Sequence, residues 1–124
     1  MLHLDTSTLV DALTGSRRSA LALRRAIEGG ERVHLSTIVL YEWLRGPRRA
    51  TELEDQEALF PKDAAVPFDA EAATLAARLY ARLPRARGRE IDLAIAASAI
   101  THRASLWTLN PADFADVPGL TLYS

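Results

Sequence analysis

Four stretches of the chain place acids or amides in apolar company. "MLHLDTSTLVDAL" ends an apolar run on Asp5, with Thr6, Ser7 and Thr8 behind it. "TIVLYEWLRG" carries Glu42 between Tyr41 and Trp43, and "GREIDLAIAASAI" carries Asp92 ahead of an alanine-rich run. "TLNPADF" supplies Asn110 and Asp113. Each has an ordinary explanation. Glu42 could pair with Arg45 at i+3. An acid in a first helical turn, such as Asp92, is favoured by the helix dipole. Asn110 before Pro111 reads as an N-cap with proline at N1, and Asp113 then falls at N3. A different chemistry follows if they converge. Carboxylates within a few ångströms repel, and one must protonate unless a cation sits between them. Hard oxygen donors on an open site suit Mg²⁺ or Mn²⁺. Thr6, Ser7 and Thr108 lie beside these acids, placed either to hydrogen-bond them or to cap helices.

Convergence depends on the elements that carry these residues. Leu2 to Thr6 and "RVHLST" read as buried strands, "AAVPFD" as a weak edge strand, and "SLWTLN" and "LTLYS" as two more. Between them "STLVDAL", "SRRSALALRRAIEGG", "TIVLYEWLRG", "RRATELEDQEALF", "AEAATLAARLYARL" and "GREIDLAIAASAITHR" read as helices, with "PADF" a single turn. Thr6 or Ser7 is the expected N-cap of the first helix and Asp69 of the fifth. Strands alternate with helices, so the expectation is an α/β domain with a central parallel sheet of four to five strands and helices on both faces. Ligands of such sheets bind beyond the carboxyl ends of the strands. Asp5, Asn110 and the helix of Glu42 all follow such ends, so the candidate ligands are predicted at one edge.

Composition limits the alternatives. The chain has 124 residues, 48% hydrophobic and 25% charged, which suits one globular domain over 1–124. No apolar run is long enough to span a membrane and no leader pattern opens the chain, so a cytoplasmic protein is expected. With no cysteine, thiolate chemistry is excluded. His3, His34 and His102 lack zinc spacing. A net charge of −1 gives no global attraction to nucleic acid. A local patch is available in Arg85, Arg87 and Arg89, which lead into Asp92 and could contact phosphates; with Arg78 and Arg82 they read equally as a solvated face. Lys62 is the only lysine, and it is misplaced for a receiver-type or dehalogenase-type phosphoryl site. No GxxxxGK loop is present.

The four stretches, taken in order, resemble the PIN domain, and more narrowly the VapC-type toxins of toxin–antitoxin pairs. "LDTSTLVDAL", "LSTIVLYEWLRG", "REIDLAIAASAI" and "LWTLNPADFADVPGL" match its motifs along the whole chain. The resemblance implies a PIN-like three-layer sandwich and an endoribonuclease dependent on Mg²⁺ or Mn²⁺. It implies Asp5, Glu42 and Asp92 as catalytic metal ligands, with Asn110 at a fourth position that is often Asp and Asp113 three residues on. A neutral Asn there implies weaker hold on a second cation. It further implies an RNA substrate, a cognate antitoxin and a homodimer. Tyr41, Trp43, Leu44 and the helix "ATELEDQEALF" read as a groove for the antitoxin, or as core. The alternative is a PIN-like binding module whose site has decayed at Asn110.

Overall fold

The computed structural model describes residues 1–124. Its centre is β1 (Leu2–Leu4), a strand whose three side chains are all buried. Successive strand side chains point to opposite faces, so both faces of β1 are covered. β2 (Val33–His34) pairs along one side, with Leu2 opposite Val33 and His3 opposite His34. β3 (Ser105–Trp107) pairs along the other, with Leu2 opposite Ser105 and Leu4 opposite Trp107. All three strands are parallel, in the order β2-β1-β3.

The sheet therefore has three strands, not four to five. The two missing strands are each reduced to one parallel bridge, Val66 to Ser36 and Leu122 to Leu106. In the first, Phe68 N, the next donor facing that strand, goes to Thr37 Oγ1 (3.0 Å) instead of a backbone carbonyl, so the ladder stops at Val66. In the second, Leu106 N donates to Thr121 O (2.8 Å) and Tyr123 N to Leu106 O (2.9 Å), enough for one bridge only.

Helices fill the connections: α1 (Thr6–Leu13), α2 (Ala20–Glu28), α3 (Thr37–Arg45), α4 (Ala50–Leu59), α5 (Ala70–Arg82) and α6 (Glu90–Thr101). "PADF" forms a single 3₁₀ turn, Pro111–Phe114. Ser36 caps α3 by accepting from Val39 N, and Asp69 caps α5 by accepting from Ala72 N. The cap of α1 is neither Thr6 nor Ser7. The helix starts directly after the strand, so Asp5 itself takes the N-cap position and accepts from Thr6 N. α6 is the most enclosed helix, with Leu93 through Ala99 buried without a break. An apolar surface on all sides fits only an interior helix, and α6 packs against α3, α5 and β3. Trp43 is fully enclosed, so it belongs to the core and not to a partner groove. Arg48 covers it, its guanidinium carbon 4.2 Å from the ring centroid.

Candidate active site

Asp5 is 6% exposed and engaged by three donors: Thr6 N to Oδ1 at 2.9 Å, Ser7 Oγ to Oδ2 at 2.9 Å and Thr108 Oγ1 to Oδ2 at 2.7 Å. The sequence sets this up locally. Asp5 is the single residue between β1 and α1, and Thr108 follows directly on the neighbouring strand β3. Asp5 N also donates to Trp107 O at 2.9 Å, so the ladder between β1 and β3 runs up to the acid itself. Thr8 Oγ1 donates to the same carbonyl at 2.8 Å.

Glu42 reaches this edge from α3. Thr6 Oγ1 donates to its Oε1 at 2.6 Å, and Arg45 Nη2 lies 3.3 Å from its Oε2. One threonine thus connects two of the acids: its amide holds Asp5 and its hydroxyl holds Glu42.

Asp92 lies at the third position of α6 and is half-buried. Its carboxyl is pushed up to about 6, first by burial and then by the charges of Asp5, Asp113 and Glu42, with Arg89 opposing. The four acids therefore feel one another across the carboxyl end of the sheet. They gather without closing: no three acidic or histidine side chains stand close enough to grip an ion as they are.

Asn110 and Asp113 flank the site on the exposed 3₁₀ turn. Asn110 is its N-cap residue, yet its side chain caps nothing, and its backbone N–H donates to Thr108 Oγ1 at 3.0 Å. The arginines divide. Arg85 and Arg87 are exposed on the loop before α6, Arg85 with a left-handed φ of 58°. Arg89 is turned inward, where its Nη1 and Nη2 grip both oxygens of Asp116 at 3.0 and 2.7 Å. Its Nη2 also donates to Asp113 O at 3.0 Å. The Arg89 hydrogen bond holds the Asp116 carboxyl below its ordinary range. Sequence reading missed Asp116. It lies in a quoted motif, "NPADFADVPGL", but no local spacing links it to Arg89.

The fold agrees with the comparisons. A PIN-domain family model matches residues 2–120. Ribonuclease VapC19 of Mycobacterium tuberculosis is 35% identical over 123 residues, 97% of each chain. Among solved structures, a toxin–antitoxin complex from Klebsiella pneumoniae matches with a TM-score of 0.73 and 26% identity, covering 98% of this chain and 96% of that one. DNA-bound VapBC from Salmonella typhimurium matches with a TM-score of 0.78 and 22% identity, covering 98% and 96%. The chain belongs to the PIN-domain family.

Proposed function

We propose that this chain is a divalent-cation-dependent endoribonuclease and the toxin of a toxin–antitoxin pair. The observation that carries the nuclease reading is the crowding of Asp92. Burial first, and then the charges of Asp5, Asp113 and Glu42, raise its carboxyl to about 6, and the one arginine that opposes them is committed to Asp116. Excess negative charge on oxygen donors alone, at the carboxyl edge of a parallel sheet, fits Mg²⁺ or Mn²⁺. Asp5 and Asp92 would hold the ion, with Glu42 and the Asn110–Asp113 turn completing the oxygen set. A bound divalent ion makes a water nucleophilic near neutral pH and offsets charge on the phosphate.

The chain's own residues supply the rest. Ser7 and Thr108 hold Oδ2 of Asp5 and Thr6 N holds Oδ1. Glu42 is the acid best placed to orient a water or take its proton. Releasing it from Arg45 costs little, because the pair is largely exposed on the arginine side. Arg85 and Arg87 lie free on the loop leading to Asp92, where they can meet the RNA backbone.

Supporting the toxin role, the relatives that match are a VapC ribonuclease and toxin–antitoxin complexes. An apolar groove of about 430 Å³ runs between α1, α2 and α4, lined by Leu13, Leu23, Ile27 and Leu59 and edged by the Arg17–Asp55 and Arg24–Glu28 ion pairs. It suits an amphipathic antitoxin helix. Exposed Tyr41 and Tyr80 are available to a second copy in a homodimer. The test is incubation of purified protein with RNA and Mg²⁺ or Mn²⁺, followed by mapping of the new ends. Cleavage is expected for wild type and lost with EDTA or in Asp92→Asn. Cleavage that survives both, or no cleavage with either metal, would falsify the reading.

A further inference from the structure

A trough of about 500 Å³ opens beside the acids and follows α1 outward. Thr6 and Ser7 stand at its inner end, Arg18 beyond the helix at the other, with Asp11 in the wall and Leu109 on the rim. Leu109 is 45% exposed, and its N–H donates to Ser7 Oγ at 3.1 Å. The bond fixes the Leu109 backbone beside Ser7, and the exposed apolar side chain offers a surface for a base to lie on. Arg18 is exposed and paired with no acid, whereas its neighbours Arg17 and Arg24 are paired with Asp55 and Glu28. A free guanidinium is suited to a phosphate.

Asp11 is the residue a simple phosphate track would not contain, because it repels the backbone. Ser19 Oγ donates to its Oδ2 at 2.6 Å, which fixes the carboxylate and leaves Oδ1 unengaged. A fixed carboxylate oxygen accepts well from the exocyclic amino group of a base, as it does from cytosine N4. Uracil has no such group.

We infer that the trough is a nucleotide subsite for single-stranded RNA, in which Leu109 carries a base, Asp11 Oδ1 accepts from its exocyclic amine and Arg18 holds a neighbouring phosphate. This rests on the nuclease reading and adds a base preference to it: a base with an exocyclic amine (adenine, cytosine or guanine) over uracil beside the cleaved bond.

The test is fluorescence anisotropy of the full chain with short labelled oligo(A), oligo(C) and oligo(U) in EDTA, so that nothing is cut. Wild type is expected to bind oligo(A) or oligo(C) at least about ten-fold tighter than oligo(U), the worth of one charge-assisted hydrogen bond. Asp11→Asn keeps an acceptor for Ser19 but offers an amide in place of the anion, so the preference should collapse. Arg18→Ala should weaken binding to all three oligomers alike and flatten the salt slope by about 0.7, the value for one phosphate on a single strand. Equal binding of all three by wild type, an unchanged preference in Asp11→Asn, or an unchanged salt slope in Arg18→Ala overturns the subsite. A parallel digest with Mg²⁺ or Mn²⁺ separates the two readings. Cleavage without these binding differences sinks the subsite alone, and the differences without cleavage sink the nuclease alone.

Discussion

Replacing Asp92 by Asn should make the metal-free protein more stable at neutral pH and leave it unchanged in acid. The Asp92 carboxyl is raised from 3.8 to about 6 by burial and by Asp5, Asp113 and Glu42. The folded state therefore holds this proton more tightly than the unfolded state. Its contribution is fully favourable below about 4 and is lost as pH rises toward 6. Two pKa units correspond to about 3 kcal/mol, which solvent around this half-buried group reduces to about 1–2 kcal/mol. His3 acts in the opposite direction. It is 1% exposed, neither ring nitrogen has a partner, and burial, then His102 and His34, lower its pKa to about 4. Its contribution is whole above 6.5 and falls by about 3 kcal/mol as pH drops to 4. Between pH 4 and 6.5 the two slopes oppose each other in wild type. Asp92→Asn removes one of them, so its stability should exceed that of wild type by about 1–2 kcal/mol at pH 7 and fall more steeply toward acid. Urea melts in EDTA across this range give both curves. A variant less stable than wild type at pH 7, or a gap that does not narrow toward pH 4, would refute the electrostatic account of the site.

Added Mg²⁺ should raise the melting temperature of wild type more than that of Asp92→Asn, because a ligand stabilises only the state that binds it; equal shifts in a thermal melt would count against Asp92 as a ligand. Asp5→Asn should abolish RNA cleavage and destabilise less than Asp5→Ala, which loses the α1 cap at about 1–2 kcal/mol; denaturant melts of the two variants check the order. Arg89→Lys should lower kcat about ten- to hundred-fold with little change in KM, as for other groups that orient ligands, and Asp116→Asn should reproduce it. Arg85→Ala with Arg87→Ala should instead raise KM and flatten its salt dependence. Steady-state cleavage at several salt concentrations distinguishes the pairs, and an Arg89 effect confined to KM would return that residue to the RNA surface.

Much of this was legible along the chain because it is local. The six helices follow from apolar runs bounded by caps and by glycine or proline stops, and Asp69 caps its helix as its position suggests. That one acid of a crowded set would be forced toward protonation follows from electrostatics alone. Which one depends on burial set against hydrogen bonding: half-buried Asp92 has no donor, whereas the more deeply buried Asp5 has three. Strand number was misjudged for a local reason, since apolar "AAVPFD" and "LTLYS" read as strands while their pairing stops after one bridge each. The Arg89–Asp116 grip was out of reach, because its partners lie 27 residues apart and meet only through the packing of the last turn on α6.

The acid at the tip of β1 can now be read through its lone pairs. An ionised carboxylate offers about four acceptor positions. Asp5 spends two on Oδ2, with Ser7 and Thr108, and one on Oδ1, with Thr6 N. One direction on Oδ1 is left. Capping and ligation are therefore compatible in one residue: the cap and the two hydroxyls fix the carboxylate, and one acceptor position on Oδ1 remains for an ion. The arrangement also explains why hydroxyl residues follow the acid. A side chain at Ser7 with no donor, as in Ser7→Ala, would leave Oδ2 short of one bond and free the carboxylate to turn. Such a variant should keep its fold, since Thr6 N and Thr108 still hold the cap, yet bind Mg²⁺ more weakly. Calorimetric titration with Mg²⁺ reads this directly, and an unchanged affinity in Ser7→Ala would mean that the hydroxyl serves only the helix and Leu109.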